Sequence, residues 1–304
     1  MLEFRTLQLS DREWVQKALD RSGFWGCEYS FANNLAWRRN ADTKVSEFED
    51  FYICASFNTE DGVPLFYYPA GGGDIRAAVG EMAKVAANRN SPLRIAGVTE
   101  NLLSGLREIY SDNFDAEPYP DGFDYIYETK DLIELPGKKY HKKRGHLMQF
   151  RKNYENYSFS EITPADYDEC ITMSTHFYNQ KHGYTDKSSI SEQFAIHTYF
   201  SHFDALELKG GVLRVNGLLV GFSIGERLTD DMFVTHIEKA DVNYKGVYTA
   251  LMQAFTERFA VGYRYINREE DLGIEGLRKA KRACQPVFML EKYMCTFHNT
   301  ENLI

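Results

Sequence analysis

Apolar and polar positions change period along this chain, and the points where the period switches outline its elements. Two apolar runs, one from Val212 to Val215 and one from Leu218 to Glu226, flank Asn216-Gly217, the dipeptide that most strongly predicts a two-residue β-hairpin. Met232 to Lys239 alternates as a further strand, with His236 and Glu238 two positions apart and so predicted on one face. After Gly246 the period lengthens: Val247, Leu251, Phe255 and Phe259 recur every four residues, the stripe of a core-facing helix. Tyr140 to Tyr154 contains no proline and predicts another helix, whose Leu147, Phe150 and Tyr154 share one arc.

The first half runs through a similar succession. Phe4 to Trp14 and Phe159 to Tyr167 each read as a short strand, an apolar residue (Leu9, Ile162) and a helix N-cap. Ser10 with Glu13 predicts a capping box, and Thr163 is followed by Pro164, tolerated best in a first helical turn. Aligning these caps gives an offset of 153 residues. Aligning Gly73 with Gly246, each after a strand and before a helix, gives 173, and Gly105-Leu106-Arg107 meets Gly276-Leu277-Arg278 at 171. Three blocks in the same order predict two similar α/β units, with an insertion of about twenty residues in the second. The expected division is a first repeat over 1–136, a basic helical connector over 137–156 and a second repeat over 157–304.

With 304 residues, 43% of them hydrophobic, the chain can bury two cores. No run nears the roughly 18 apolar residues of a membrane-spanning helix, and the first residues lack a signal-peptide layout, so a cytoplasmic protein is expected. Cys27, Cys54, Cys170, Cys284 and Cys295 are odd in number and widely spaced, which suggests buried thiols rather than a disulfide framework or a zinc site, and no metal is expected. The formal net charge of -9 disfavours nucleic acid and anionic membrane over most of the surface. Lys138 to Lys152 runs against that balance, with seven Lys or Arg and no carboxylate in fifteen positions.

A glycine turn capping a helix after a central strand resembles the GNAT acyltransferase fold, in which a cofactor pyrophosphate rests on that helix N-terminus. Lys245 and Gly246 then become candidate cofactor-binding residues, although Asn243 to Tyr248 supplies one glycine and puts Tyr248 where the acyl-CoA signature has a small residue. Two longer strings, Asp124 to Phe150 and Asn267 to Gln285 closed by Pro286, resemble the C-terminal domain of phosphatidylglycerol lysyltransferases and its stand-alone bacterial relatives. The resemblance implies a mixed α/β, α+β chain of two tandem GNAT-like units that moves an amino acid from aminoacyl-tRNA to a hydroxyl or amine, on a lipid head group, peptide or small molecule. It implies no tightly bound cofactor, and aminoacyl-tRNA or acyl-CoA as donor substrate. Association with the inner membrane surface and a non-catalytic module binding RNA or another anion remain alternatives.

Of the basic residues, Lys143 falls on the apolar arc with Arg144 and Arg151 beside it, so these three are candidate anion ligands; Lys138, Lys142 and Lys152 project to solvent. An internal salt bridge, or a buried stem with its ammonium in water, would explain Lys143 equally. In the second string Glu269, Glu270 and Asp271 end a strand, and Arg278 and Lys281 stand three apart on a helix, able to reach one ligand. Asp271 is a candidate for an α-ammonium or an acceptor's proton, Glu269 another carboxylate, and Lys281 or Arg278 an oxyanion partner. A solvated charge run is the plain alternative. His236, Glu238 and, more weakly, Glu226 are candidate bases; a hydrogen-bonded core histidine is the common outcome. The Gly71 to Asp74 turn reads as a turn.

Overall fold

A computed structural model describes residues 2–40, 42–181, 187–298, 300 and 303. The chain forms two compact units, Met1–Phe123 with Leu290–Ile304, and Asp124–Met289. In the first, strands run in the order Arg5–Thr6, Thr43–Phe48, Phe51–Ser56, Leu65–Tyr67, Arg94–Val98, Tyr293–Phe297 and Phe114–Pro118, with Ala70–Gly71 paired to Phe51–Ser56. Helix Ile75–Ala87 buries Ala78, Val79, Met82, Ala83 and Ala86 in a core with Ile53, Phe66 and Ile95.

In the second unit the order is Phe288–Leu290, Asp124–Glu128, Tyr265–Asn267, Met232–Ala240, Leu218–Arg227, Lys209–Val215 and Tyr157–Glu161. The hairpin forms where expected, with Asn216 at φ 51° and Gly217 at φ 81°, the left-handed pair that a tight turn between twisted strands requires. Helix Val247–Phe259 buries Val247, Leu251 and Phe255 as its period predicts.

The expected boundaries at 136 and 157 move to 123/124 and 289/290. Strand pairing is the reason. Asp124–Glu128 joins the second sheet beside Tyr265–Asn267, while the C-terminal strand Tyr293–Phe297 lies between Arg94–Val98 and Phe114–Pro118 of the first. Equivalent slots in the two sheets are thus filled by the last strand of the expected first repeat and the last strand of the expected second repeat, each in the sheet of the other, which alternation alone cannot reveal. The basic connector is no linker: helix His141–Asn153 buries Leu147 and Phe150 in the core of the second unit with Tyr140.

The first cap also shifts. Asp11, not Glu13, closes a box with Gln8, whose backbone N–H donates to Asp11 Oδ2 at 2.8 Å; Asp166 does the same for Thr163. Gln8 therefore corresponds to Thr163, an offset of 155 rather than 153. Asp11 also takes two bonds from Arg5 and one from Trp14, and the Arg5 guanidinium holds its carboxyl down to about 2. All five cysteines are buried thiols, and no helix of the described residues is long and apolar enough to cross a membrane.

Candidate active site

The centre of the second sheet carries a register break. Ile224 pairs with Ile237 but Gly225 pairs with Thr235, which leaves His236 as the extra residue of a β-bulge. His236 and Lys239, three apart, both reach helix Lys187–Ser201: His236 stacks on Tyr199 at 5.4 Å and Lys239 pairs with Glu192 at 2.7 Å. An unbroken strand would send positions three apart to opposite faces. Glu238 turns the other way to Arg268 at 2.8 Å, whose guanidinium also touches Met252 and Cys284. The expectation that His236 and Glu238 share a face is therefore overturned by the bulge. Gly225 beside it has no room for a Cβ, which would stand 2.3 Å from the Val234 carbonyl oxygen.

Two carboxylates hold His236. Its Nδ1 lies 2.8 Å from Glu269 Oε1 and its Nε2 lies 3.1 Å from Glu226 Oε1. The ring is wholly buried, whereas the two glutamates keep 19% and 14% of their side chains exposed and so can meet a ligand. Burial alone would lower the imidazole pKa, but bonds to Glu226 and Glu269 prevail and push it up to about 9. The two glutamates thus favour the protonated imidazole that they enclose.

Glu269 is set in place by strain. It sits at φ 57°, uncommon for a side chain with a Cβ, and its N–H donates to Asn267 Oδ1 at 2.7 Å. Asn267, fully buried at the strand end, in turn bonds Asp124 Oδ2 at 2.8 Å. A non-glycine residue kept left-handed by buried hydrogen bonds, next to a bulge, marks a position selected for where its side chain points.

Asp271 faces elsewhere. It is 1% exposed and accepts from Tyr125 Oη at 2.6 Å, from Gly273 N at 2.9 Å, and from Arg278 Nε and its terminal nitrogen at 2.8 and 2.9 Å. Arg278 holds its carboxyl well below the usual range, so its acceptors are committed and it makes a poor proton acceptor. Lys281 is likewise buried, donating to the Glu270 carbonyl and lying 5.8 Å from the Tyr125 ring. The second string thus divides: Glu269 joins His236, Arg268 joins Glu238, and Asp271, Arg278 and Lys281 form a hub around Tyr125. Tyr199, Tyr125 and Arg268 had not been singled out; the two latter lie inside the distinctive strings, while Tyr199 carries no local signal.

The basic helix divides as well. Arg144, a candidate phosphate fork, instead donates to the carbonyls of Leu135 and Gly137 and closes the end of helix Thr129–Glu134. Arg151 donates to Gln253 at 3.0 Å. Lys143 is half-buried, Lys142 and Lys152 are exposed, and none of these three pairs with a carboxylate among the described residues. Replacing Arg144 by alanine is expected to cost about 1 kcal/mol in urea unfolding, by uncovering two carbonyls.

Gly246 caps helix Val247–Phe259 at φ 85°, and a Cβ there would stand 2.2 Å from the His146 carbonyl oxygen of the basic helix. The amides of this end are partly spent: Val247 N–H donates to Tyr244 O at 3.1 Å and Thr249 N–H to Gly246 O at 3.0 Å. Lys245 is exposed, its N–H donating to Tyr154 Oη at 3.2 Å. The pyrophosphate cradle that a glycine-capped helix offers is therefore narrowed by its own neighbours.

Two sheets of matching topology, with a central bulge and a glycine-capped helix in the second, are the tandem GNAT-like architecture of acyltransferases. A family model described as phosphatidylglycerol lysyltransferase, C-terminal, matches residues 20–296, and the chain belongs to that family. A conserved protein of unknown function from Bacteroides thetaiotaomicron is 34% identical with a TM-score of 0.90, over 98% of this chain and 100% of that one. L-PGS from Bacillus licheniformis shares the fold at a TM-score of 0.64 and 16% identity, over 95% of this chain and 92% of that one. FemX does so at 0.60 and 9%, over 99% and 98%. An uncharacterised protein of Mycoplasmoides gallisepticum is 24% identical over 180 residues, 56% of this chain and 54% of that protein, so the chain spans about half the length of the curated relative it matches. Family and fold place the chain among acyltransferases related to lysyl-phosphatidylglycerol synthase.

Proposed function

We propose that the protein transfers an aminoacyl group from an aminoacyl-tRNA end, or an equivalent activated ester, to a hydroxyl or amine acceptor at the Glu226–His236–Glu269 site. The observation that carries this reading is the pair of partly exposed carboxylates bonded to one buried imidazolium. An aminoacyl ester brings an ammonium beside its reacting carbonyl, and two partly exposed glutamates offer it acceptors. One carboxylate holds that ammonium and the other takes the acceptor's proton as the acceptor bonds to the carbonyl carbon, then returns it to the donor's ribose oxygen as the ester bond breaks. His236, already protonated and enclosed, positions the two carboxylates and is not the base. The cations Lys142, Lys143 and Lys152, without a carboxylate partner among the described residues, offer a surface to the phosphates of RNA. Asp271 and Arg278 serve as supports for the loop that carries Glu269.

The test is label transfer from a set of charged tRNAs to lipid, peptide and small-amine acceptors. Transfer is expected, and Glu226→Gln and Glu269→Gln should each lower its rate by about a hundredfold or more while melting as cooperative proteins. A complete set that yields no transfer, beside an active control enzyme, sinks this reading. Acyl-CoA esters are expected to leave the melting temperature unchanged, because ligand at a hundred times its dissociation constant would add about 2.7 kcal/mol.

A further inference from the structure

We propose that Tyr199 is a positioning residue of the Glu226–His236–Glu269 site: its buried ring stacks on His236 and favours the doubly protonated imidazole that holds both glutamates. The inference rests on the reading of that site as the place of transfer. It begins from a count of donors. A neutral imidazole has one N–H and one acceptor nitrogen, so it donates to a single carboxylate. Here each ring nitrogen faces a carboxylate oxygen, at 2.8 Å on Glu269 and 3.1 Å on Glu226. Donating to both at once takes a ring protonated at both nitrogens, and whatever favours that form keeps the two carboxylates where they stand.

Tyr199 is placed to do so. Its ring lies within 12° of parallel to the imidazole, with the centroids 5.4 Å apart, and it is fully buried. A cation within about 6 Å of an aromatic centroid is attracted by the ring quadrupole, and most strongly where water is excluded. The side chain of His236 has no exposed surface. Helix Lys187–Ser201, which carries Tyr199, is itself held fast. Ala195 and Ile196 are fully buried, and Phe200 packs on Tyr167 at 4.8 Å and on Phe222 at 6.0 Å. Glu192 pairs with Lys239 at 2.7 Å, and Gln193 donates to Ser174 Oγ at 2.8 Å. Among the described residues the ionisable groups that face His236 are Glu226 on Leu218–Arg227, Glu269 after Tyr265–Asn267 and the Tyr199 phenol. Glu238 on its own strand is taken by Arg268, and Glu192 and Lys239 neutralise each other. Without the Tyr199 ring, the imidazole becomes neutral at a lower pH, has one proton to offer and lets one glutamate go.

The experiment follows the ring shifts of His236 by NMR through a pH titration of the full chain, the signal being identified by its loss in His236→Gln. The wild-type midpoint should be about 9. Tyr199→Phe keeps the ring and should stay within about 0.3 pH units of wild type, whereas Tyr199→Leu should fall by about one pH unit, a tenfold change in proton affinity. Tyr199→Phe with its five ring hydrogens replaced by fluorine keeps the shape but reverses the quadrupole, and should also fall by about one pH unit. This fluorinated variant carries the test if Tyr199→Leu does not fold. In the transfer assay Tyr199→Leu should lower kcat by about tenfold or more with KM within about threefold, and Tyr199→Phe should restore kcat to within about threefold of wild type. A midpoint equal in the wild type and the fluorinated variant overturns the proposal, as does an undiminished kcat in a folded Tyr199→Leu chain. If the wild-type chain transfers nothing while the midpoint falls as expected, the transfer reading is removed and the hold of Tyr199 on His236 stands.

Discussion

Asp271→Ala should destabilise the protein by about 3 kcal/mol in urea unfolding, the lower end of the range for breaking a buried ion pair. The carboxylate is 1% exposed and serves Tyr125, Gly273 and both donor edges of Arg278. Its loss strands the Tyr125 hydroxyl and the Gly273 amide. Arg278 is 32% exposed and can turn to water, which sets the lower figure. Asp271→Asn keeps an acceptor and should lose about half as much. Because Arg278 depresses the native pKa of Asp271, this contribution is present above the ordinary carboxylate range and fades as pH falls through and below it. A loss below about 1 kcal/mol for Asp271→Ala at pH 7 would show that the hub does not brace the loop.

The second large effect is a stability that disappears in base. His236 rises from 6.5 to about 9 in the folded chain, so its interactions are fully present below pH 6.5 and are lost as pH climbs through 9. The shift corresponds to about 3 kcal/mol, set by Glu226 and Glu269 against the opposing effect of burial. Unfolding of the wild type and of His236→Gln at pH 6, 7.5 and 9.5 isolates it, since the other titrating groups cancel in the difference. The difference should shrink by about 3 kcal/mol between the first and last pH. In the transfer assay no rate increase should follow an apparent pKa near 6.5. A rising limb there would return the role of base to the histidine.

The repeat, the hairpin at Asn216-Gly217 and the stripe on helix Val247–Phe259 were legible because each depends on neighbours in the chain. The basic stretch was legible as a helix, yet its charges were not legible as ligands. Arg144 has a carbonyl partner nine residues away that no local pattern announces. The string after Asn267 was read as opposed carboxylates and cations free for a ligand, whereas Asp271 and Arg278 pair with each other. A strand end with Glu269 in a left-handed conformation cannot be read from alternation, and that turn decides which carboxylate faces His236.

Local chemistry alone was enough for two α/β units and for their acyltransferase-like order of elements. Turn residues and apolar periods act over a few positions, so they survive in any context. Which strand completes which sheet, which side of the bulge His236 takes and which charges neutralise one another were decided only in three dimensions. Asp271 and Tyr125 lie 146 residues apart, and His236 and Glu269 lie 33 apart. Such contacts are settled by the burial of whole elements, and with them the division between charges that brace the loop and charges that remain for a substrate.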